Sequence, residues 1–343
     1  MNQPRHILLT HAGAFHSDEL MAFALLERFY LCRPARVAHG MTPDALMGLL
    51  TDSRFPEFEP VVGFDGRVDA RSPCPIVRTR DPAALAVARA HPSVFVIDVG
   101  GVFDPSALNF DHHQANLSET WDDGTEFSST GLVWRWLRQR GTLGLELEDD
   151  VLDELERALI KPLDAHDNGQ EPCGLATVCE GYNRHPAEGL DQFQKALRLM
   201  VDALENAVHA AETQARARRH LAAAWAARPL GQEYLMLREP LKASNGSQLL
   251  KEISGDEALL LGFPTNGPRY NLVSVRGDTP FSSKCPVPAE WRGRMDFNVR
   301  TCTRTVRVAF AHKNGFMCVV EGTQKDAEAL ARHIVAEHQT SDG

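Results

Sequence analysis

The sequence predicts an α/β fold in its first half, a doubly wound and mainly parallel sheet, with an α+β domain behind it. Two patterns carry this expectation. Short apolar runs at residues 7–9, 76–78 and 94–97 each lead through a loop into a stretch of different periodicity, the strand–loop–helix order of an open α/β sheet. Residues 190–227, rich in Ala, Leu, Arg and Glu at helical spacing, then separate that half from short strands closed by a last helix at 325–337. The first domain is accordingly placed at 1–170, and the second, with the helical segment 190–227, at 171–343.

Taken in order, the strand at 7–9 runs into Thr10 and His11, and Gly13 lets the loop turn before a helix at 20–30. That loop holds His11, His16 and Asp18, and the carboxyl ends of strands in such sheets are where ligands bind. Residues 39–75 carry turn-forming Pro and Gly without periodicity and read as a surface insertion with one helix at 44–50. The strand at 76–78 leads to Arg80, a strand-end cation suited to phosphate, and to Asp81-Pro82, which opens a helix over 83–90. The run 94–97 is apolar without alternation, as in a strand covered on both faces. It ends in Asp98, a buried-strand acid that needs a reason, with Gly100 and Gly101 giving room for another group.

The next strand ends in Phe110-Asp111-His112-His113-Gln114. A carboxylate and an imidazole there can bind one cation, and a second imidazole can face whatever the cation activates. Ser128 caps a helix through Leu137, and a helix over 149–160 continues to Asn168-Gly169, which ends it. Asp164 and Asp167 share a face of that helix, an arrangement favoured only near a cation or other donors. In the second domain the strands are expected at 234–238, 258–263, 270–275, 306–311 and 316–320, the last after the turn Lys313-Asn314-Gly315.

Composition narrows the class. Apolar residues make up 43% and charged residues 24%, as in a globular protein, and no apolar run is long enough to span a bilayer. The start of the chain lacks the apolar core of a secretory signal. Seven scattered cysteines without a CxxC pair argue against a disulfide framework or a structural zinc site and lead to the expectation of a reducing cytoplasm. The net charge of −10 disfavours a nucleic-acid partner, yet residues 269–313 hold nine Lys or Arg against three Asp or Glu, and Arg216, Arg218 and Arg219 form a further basic group.

Four segments thus end in Asp or His and together offer His11, His16, Asp18, Asp98, His112, Asp164 and Asp167. That set exceeds the needs of one ion and suits two divalent cations with a bridging carboxylate. Oxygen and imidazole ligands without thiolate point to Mn²⁺, with Mg²⁺ or Co²⁺ as alternatives. Two such ions are suited to phosphoester hydrolysis by a metal-bound hydroxide.

The motifs HAGAFHSDE, VRTRDP, VIDVGG, FDHHQ, FSSTGLVW and DAHDNG occur here in the order of the melanocyte-proliferating-gene family of the DHH phosphoesterase superfamily, and Pro288–Gly293 and Ala311–Phe316 continue the match. The sequence resembles that family over nearly its whole length. The resemblance implies a DHH-type fold and a manganese- or magnesium-dependent phosphodiesterase acting as a 3′-to-5′ RNA exonuclease. It implies ligands at His11, His16, Asp18, Asp98, His112 and an acid of DAHDNG, with His113 on the phosphate. Ser17 stands where the family often has Cys, and 39–75 is longer than the usual link.

Asp98, Asp111 and His113 are therefore expected in the catalytic group. Arg80, Lys284, Arg292, His312 and Lys313 are expected, with His113, to bind substrate. The leading reading is a nuclease on single-stranded RNA or DNA. A hydrolase of small phosphodiesters, nucleotides or pyrophosphate is the alternative, and a metal-loaded regulatory protein without activity the third. No membrane partner is expected, and a homodimer is compatible with all three.

Overall fold

A computed structural model describes residues 6–30, 32–39, 42–51, 61–62, 68–69, 72–115, 117–184, 189–279 and 281–341. They form two compact units, 1–211 and 212–343, which divide inside one long helix. The sequence reading puts the boundary at 170/171, before that helix.

In the first unit the elements run β1 (Ile7–Thr10), α1 (Ser17–Phe29), β2 (Cys32–His39), α2 (Pro43–Thr51), a small hairpin of β3 (Val61–Val62) and β4 (Val68–Asp69), β5 (Ser72–Arg78), α3 (Pro82–Ala90), β6 (Val94–Ile97), β7 (Phe103–Asp104) and β8 (Asn109–Phe110). Helices follow: α4 (Ser129–Gln139), α5 (Asp149–Leu155), a π-helical turn (Glu156–Ile160), α6 (Lys161–Asp167), α7 (Gly174–Glu180) and the start of α8 (Gly189–Ala226). The sheet order is β2-β5-β1-β6-β8-β7, parallel except where β7 runs against β8. β1 and β6 are central and wholly buried, which is why their sequences do not alternate.

One sheet face packs Ile7, Leu9, Val77, Val94 and Val96 against Ala88 of α3 and Leu46 of α2. Helix α2, expected within a surface insertion, thus contributes a fully buried leucine to this core. The rest of the 39–75 expectation falls largely outside the described residues. On β6 and β8, Phe95 and Phe110 stack 6.3 Å apart and meet Trp136 of α4 edge-on. Cys74 on β5 is disulfide-bonded, which departs from the expectation that the cysteines form no disulfide framework.

The second unit holds the rest of α8, then β9 (Tyr234–Met236), α9 (Gly246–Ser254), β10 (Leu260–Pro264), β11 (Arg269–Ser274), β12 (Met295–Arg300), β13 (Thr305–Ala311), β14 (Met317–Glu321) and α10 (Gln324–Ser341). Its sheet order is β12-β13-β14-β11-β10-β9, antiparallel apart from β9 beside β10. α10 buries Leu330 and Ile334 in one core, and α9 buries Leu249 and Leu250 in another with Leu221 and Trp225 of α8. Sequence reasoning placed neither α9 nor β12. No helix of the described residues is long and apolar enough to cross a membrane.

Candidate metal centre

The carboxyl ends of β1, β6 and β8 lie side by side in the sheet, and the side chains that follow them converge. His11 follows β1, Asp98 follows β6, and Asp111, His112 and His113 follow β8. Asp98 needs a left-handed backbone (φ 58°), a conformation few non-glycine residues adopt, and it is flanked by Gly100 and Gly101, also at positive φ. Its Oδ2 lies 3.2 Å from His11 Nε2 and 3.9 Å from His16 Nδ1. Its Oδ1 lies 3.4 Å from His112 Nε2 and 3.5 Å from His113 Nδ1.

Helix α1 brings two more acids. It starts after His16, whose backbone is extended, so Asp18 and Glu19 fall in its first turn. Glu19 Oε2 accepts from His16 N (3.0 Å) and from His11 Nε2 (2.9 Å). Asp18 Oδ2 accepts from Ser129 N (3.2 Å), and Thr130 Oγ1 donates to the Asp18 carbonyl, so the start of α4 fixes this turn. At the end of α6, Asp167 Oδ2 is 3.1 Å from His112 Nε2, which is itself 3.8 Å from Asp18 Oδ2.

Three overlapping sets of potential ligand atoms result, each mutually within 4.8 Å: His11, His16, Glu19 and Asp98; Asp98, His112 and His113; and His16, Asp18 and Asp167. Buried polar atoms normally find partners. Here Asp18 Oδ1, Glu19 Oε1, both Asp98 oxygens and His112 Nε2 are buried without a hydrogen bond among the described residues. Carboxylates and imidazoles left in this state fit divalent cations chemically, and no thiolate joins them.

The electrostatics point the same way. Burial disfavours charge on His11 and His112. The facing carboxylates, Asp98 and Glu19 for the first and Asp167 and Asp98 for the second, outweigh it and bring both up to about 10. Burial would raise Asp98, but His11 and His112 hold it below the usual carboxylate range. Asp18 goes well above that range, through burial first and then the charges of Asp98, Asp167 and Glu19. The cluster is rich in negative charge that imidazolium only partly offsets.

Of the sequence-predicted ligands, His11, His16, Asp18, Asp98, His112 and Asp167 come together. Asp164 does not. Its Oδ1 accepts from Ser128 N (3.2 Å), Ser128 Oγ (2.6 Å) and Gly131 N (2.9 Å), and its Oδ2 from Trp121 Nε1 (2.7 Å), so it caps α4 and ties it to α6. Burial pushes it up to about 7 against the hydrogen bonds that favour its charge. Asp111 lies behind the cluster: it accepts from the backbone of Gly101 and His113 and from His113 Nδ1 (2.7 Å). His113, with a side chain 59% exposed, sits on the rim, and Asp111 raises its pKa.

Arg80 donates from Nε to the Ala12 carbonyl (2.8 Å) and places Nη2 3.0 Å from His11 Nδ1, so it grips the His11 loop. In the second unit Arg292, His312 and Lys313 gather at one turn: Arg292 Nε donates to the Val287 carbonyl and crosses Gly315, where an added Cβ would lie 2.8 Å from it. His312 packs on Phe316. Lys284 lies apart from them, paired with Asp256 (3.1 Å).

Sequence reasoning passed over Glu19, whose place in a helix's first turn has an ordinary explanation, and Arg78. Arg78 is 1% exposed, donates from Nη2 to the Gly13 carbonyl (3.0 Å) and lies 3.8 Å from Glu19 Oε1. A charged residue buried at a strand end beside a predicted site was the available signal.

Comparison with known proteins places these residues in context. The family model described as Uncharacterised protein family (UPF0160), MYG1 exonuclease, matches residues 66–335. A MYG1 protein of Dictyostelium discoideum is 23% identical over 357 residues, covering 90% of this chain and 91% of the relative. A MYG1 protein of Chlamydia trachomatis is 26% identical over 340 residues, with 94% of each chain covered. The human MYG1 exonuclease is 30% identical over 174 residues, 47% of this chain and 35% of the relative.

Proposed function

The chain belongs to the uncharacterised protein family UPF0160, the MYG1 family; from that premise we propose that it is a metal-dependent hydrolase of phosphoesters, a 3′-to-5′ exonuclease on single-stranded nucleic acid, RNA before DNA, served by two divalent cations, Mn²⁺ foremost. The observation that supports the two-cation reading most strongly is Asp98, which belongs to two overlapping ligand sets and whose oxygens both lack a hydrogen bond.

His11, His16 and Asp98, with Glu19 beside them, would hold one ion. Asp18, Asp98, His112 and Asp167 would hold the other. Bound there, the cations supply an acidified water and neutralise charge building on the phosphate. The chain's own groups do the rest. Asp98 keeps both positions in register through its fixed backbone. Asp111 accepts a hydrogen bond from His113 Nδ1 and so aims the ring, leaving Nε2 for a phosphate oxygen. Arg292, His312 and Lys313 share one turn of the second unit and are the proposed contacts for further phosphates.

The test is a time course on 3′- and 5′-end-labelled RNA of about thirty nucleotides, with Mn²⁺ or with EDTA. The reading predicts a ladder that shortens from the 3′ end only with metal. Intact RNA beside a cleaved dinucleotide would transfer the assignment to small phosphodiesters.

A further inference from the structure

The loop between His11 and His16 carries two ligands without regular secondary structure, and Gly13 in it sits at φ 108°. Its shape depends on side chains that reach it from elsewhere. Arg80 holds the Ala12 carbonyl and Arg78 the Gly13 carbonyl. The third hold is Asn183, in a 3₁₀ turn (Gly181–Arg184) after α7. Its Oδ1 accepts from Phe15 N (3.0 Å) and its Nδ2 donates to Phe15 O (2.7 Å). One amide thus satisfies both main-chain groups of the residue just before His16, as a strand partner would. The Phe15 ring is clamped as well, 5.5 Å from Phe193 of α8, over which the Arg78 guanidinium also lies.

The remaining ligands are held differently. Asp18 is gripped by Ser129 and Thr130, Asp98 and His112 extend from β6 and β8, and Asp167 ends α6. None of these supports involves Asn183.

We propose that Asn183 is a positioning residue chiefly for one cation position, the one formed by His11 and His16 with Asp98, and that it reaches the position at Asp18, His112 and Asp167 only through His16, which also lies within 4.8 Å of Asp18 and Asp167. This rests on the two-cation reading above. A side chain that orients a ligand from behind typically contributes 10–100-fold to metal affinity, and a two-point amide clamp on the peptide before His16 acts in that way.

The experiment compares full-length wild type with Asn183→Leu, which keeps the volume but neither donates nor accepts. Mn²⁺ is titrated by calorimetry and followed by electron paramagnetic resonance. The expected result is one binding event weakened at least about 10-fold and the other changed less than about 2-fold. At a Mn²⁺ level that saturates wild type, the spin-coupled pair signal should give way to the six-line signal of isolated ions. Two unchanged events, or two equally weakened ones, would overturn the assignment. Asn183→Asp, which accepts from Phe15 N but cannot donate to Phe15 O, is the second variant and should fall between the other two; wild-type behaviour in it counts against the proposal. A wild type that takes up no Mn²⁺ overturns the two-cation reading itself, whereas a wild type with two events and an indifferent Asn183→Leu overturns only the role of Asn183.

Discussion

Asp98→Asn separates the centre's metal chemistry from its contribution to folding. Asn tolerates the left-handed backbone that residue 98 needs at φ 58°, so the turn after β6 is kept. The substitution removes one negative charge that faces His11 at 3.2 Å and His112 at 3.4 Å and that raises Asp18. Without metal, two effects oppose each other: the imidazoles lose a partner and Asp18 loses a repulsion. The metal-free melting point is therefore expected to stay within a few degrees of wild type. With metal the two proteins diverge. At a Mn²⁺ concentration of about 100 Kd, wild type gains about 2.7 kcal/mol. In a unit the size of Met1–Ala211 that raises the midpoint by roughly 5–10 °C. Loss of a carboxylate shared by two ligand sets weakens binding by at least about 100-fold, the upper figure for removing a mere supporting group. At the same Mn²⁺ concentration the variant then gains only about 0.4 kcal/mol, roughly 1 °C. Differential scanning fluorimetry in EDTA and in Mn²⁺ reads this directly, and hydrolysis should disappear in parallel. A variant that keeps the full Mn²⁺ shift would refute the claim that Asp98 joins the two positions.

Asp164→Ala should cost about 3–5 kcal/mol in a chemical melt, because it strands buried donors on Ser128, Gly131 and Trp121. The surviving folded protein should still bind Mn²⁺ with wild-type stoichiometry. Gly131→Ala should destabilise by about 1–3 kcal/mol, since its Cβ would lie 2.1 Å from Asp164 Oδ2 and 2.4 Å from Phe127 Cδ1. Asp164 also predicts a pH trend. Its folded pKa, about 7, exceeds the unfolded value, so the stability it lends is complete below about pH 4 and is lost as pH rises to 7. The stability of wild type minus that of Asp164→Asn should therefore fall between pH 4 and 7 and level off above, and a flat difference would contradict the burial argument.

The parts of the centre that were legible in the sequence share one property: they lie where an apolar strand stops. His11, Asp98 and His112 follow β1, β6 and β8, and strand ends of an open sheet are brought together by topology alone. What separates Asp164 from Asp167 is not local. Both occupy α6, three residues apart, and only Trp121, Ser128 and Gly131, dozens of residues upstream, claim the first and leave the second to His112. Glu19 was hidden because an acid in a helix's first turn has an ordinary explanation, and it fulfils that one too by accepting from His16 N. Strand β12 carried a signal of its own, since Met295–Arg300 alternates apolar and polar residues as a half-buried strand does, but the stretch was read for its basic charge; the helix at α2 was expected, and only its burial was not, because one buried leucine in a proline-rich run carries little periodicity. Asn183, on the evidence of sequence, was one polar residue of a short turn; its meaning depends on Phe15, 168 positions away.

The most direct measurement is anomalous diffraction at the manganese edge from crystals soaked in Mn²⁺. The account predicts two peaks flanking the Asp98 carboxylate, one beside His11 and His16 and the other beside Asp18, His112 and Asp167. A single ion that does not touch Asp98, or manganese bound at Asp164, would contradict it.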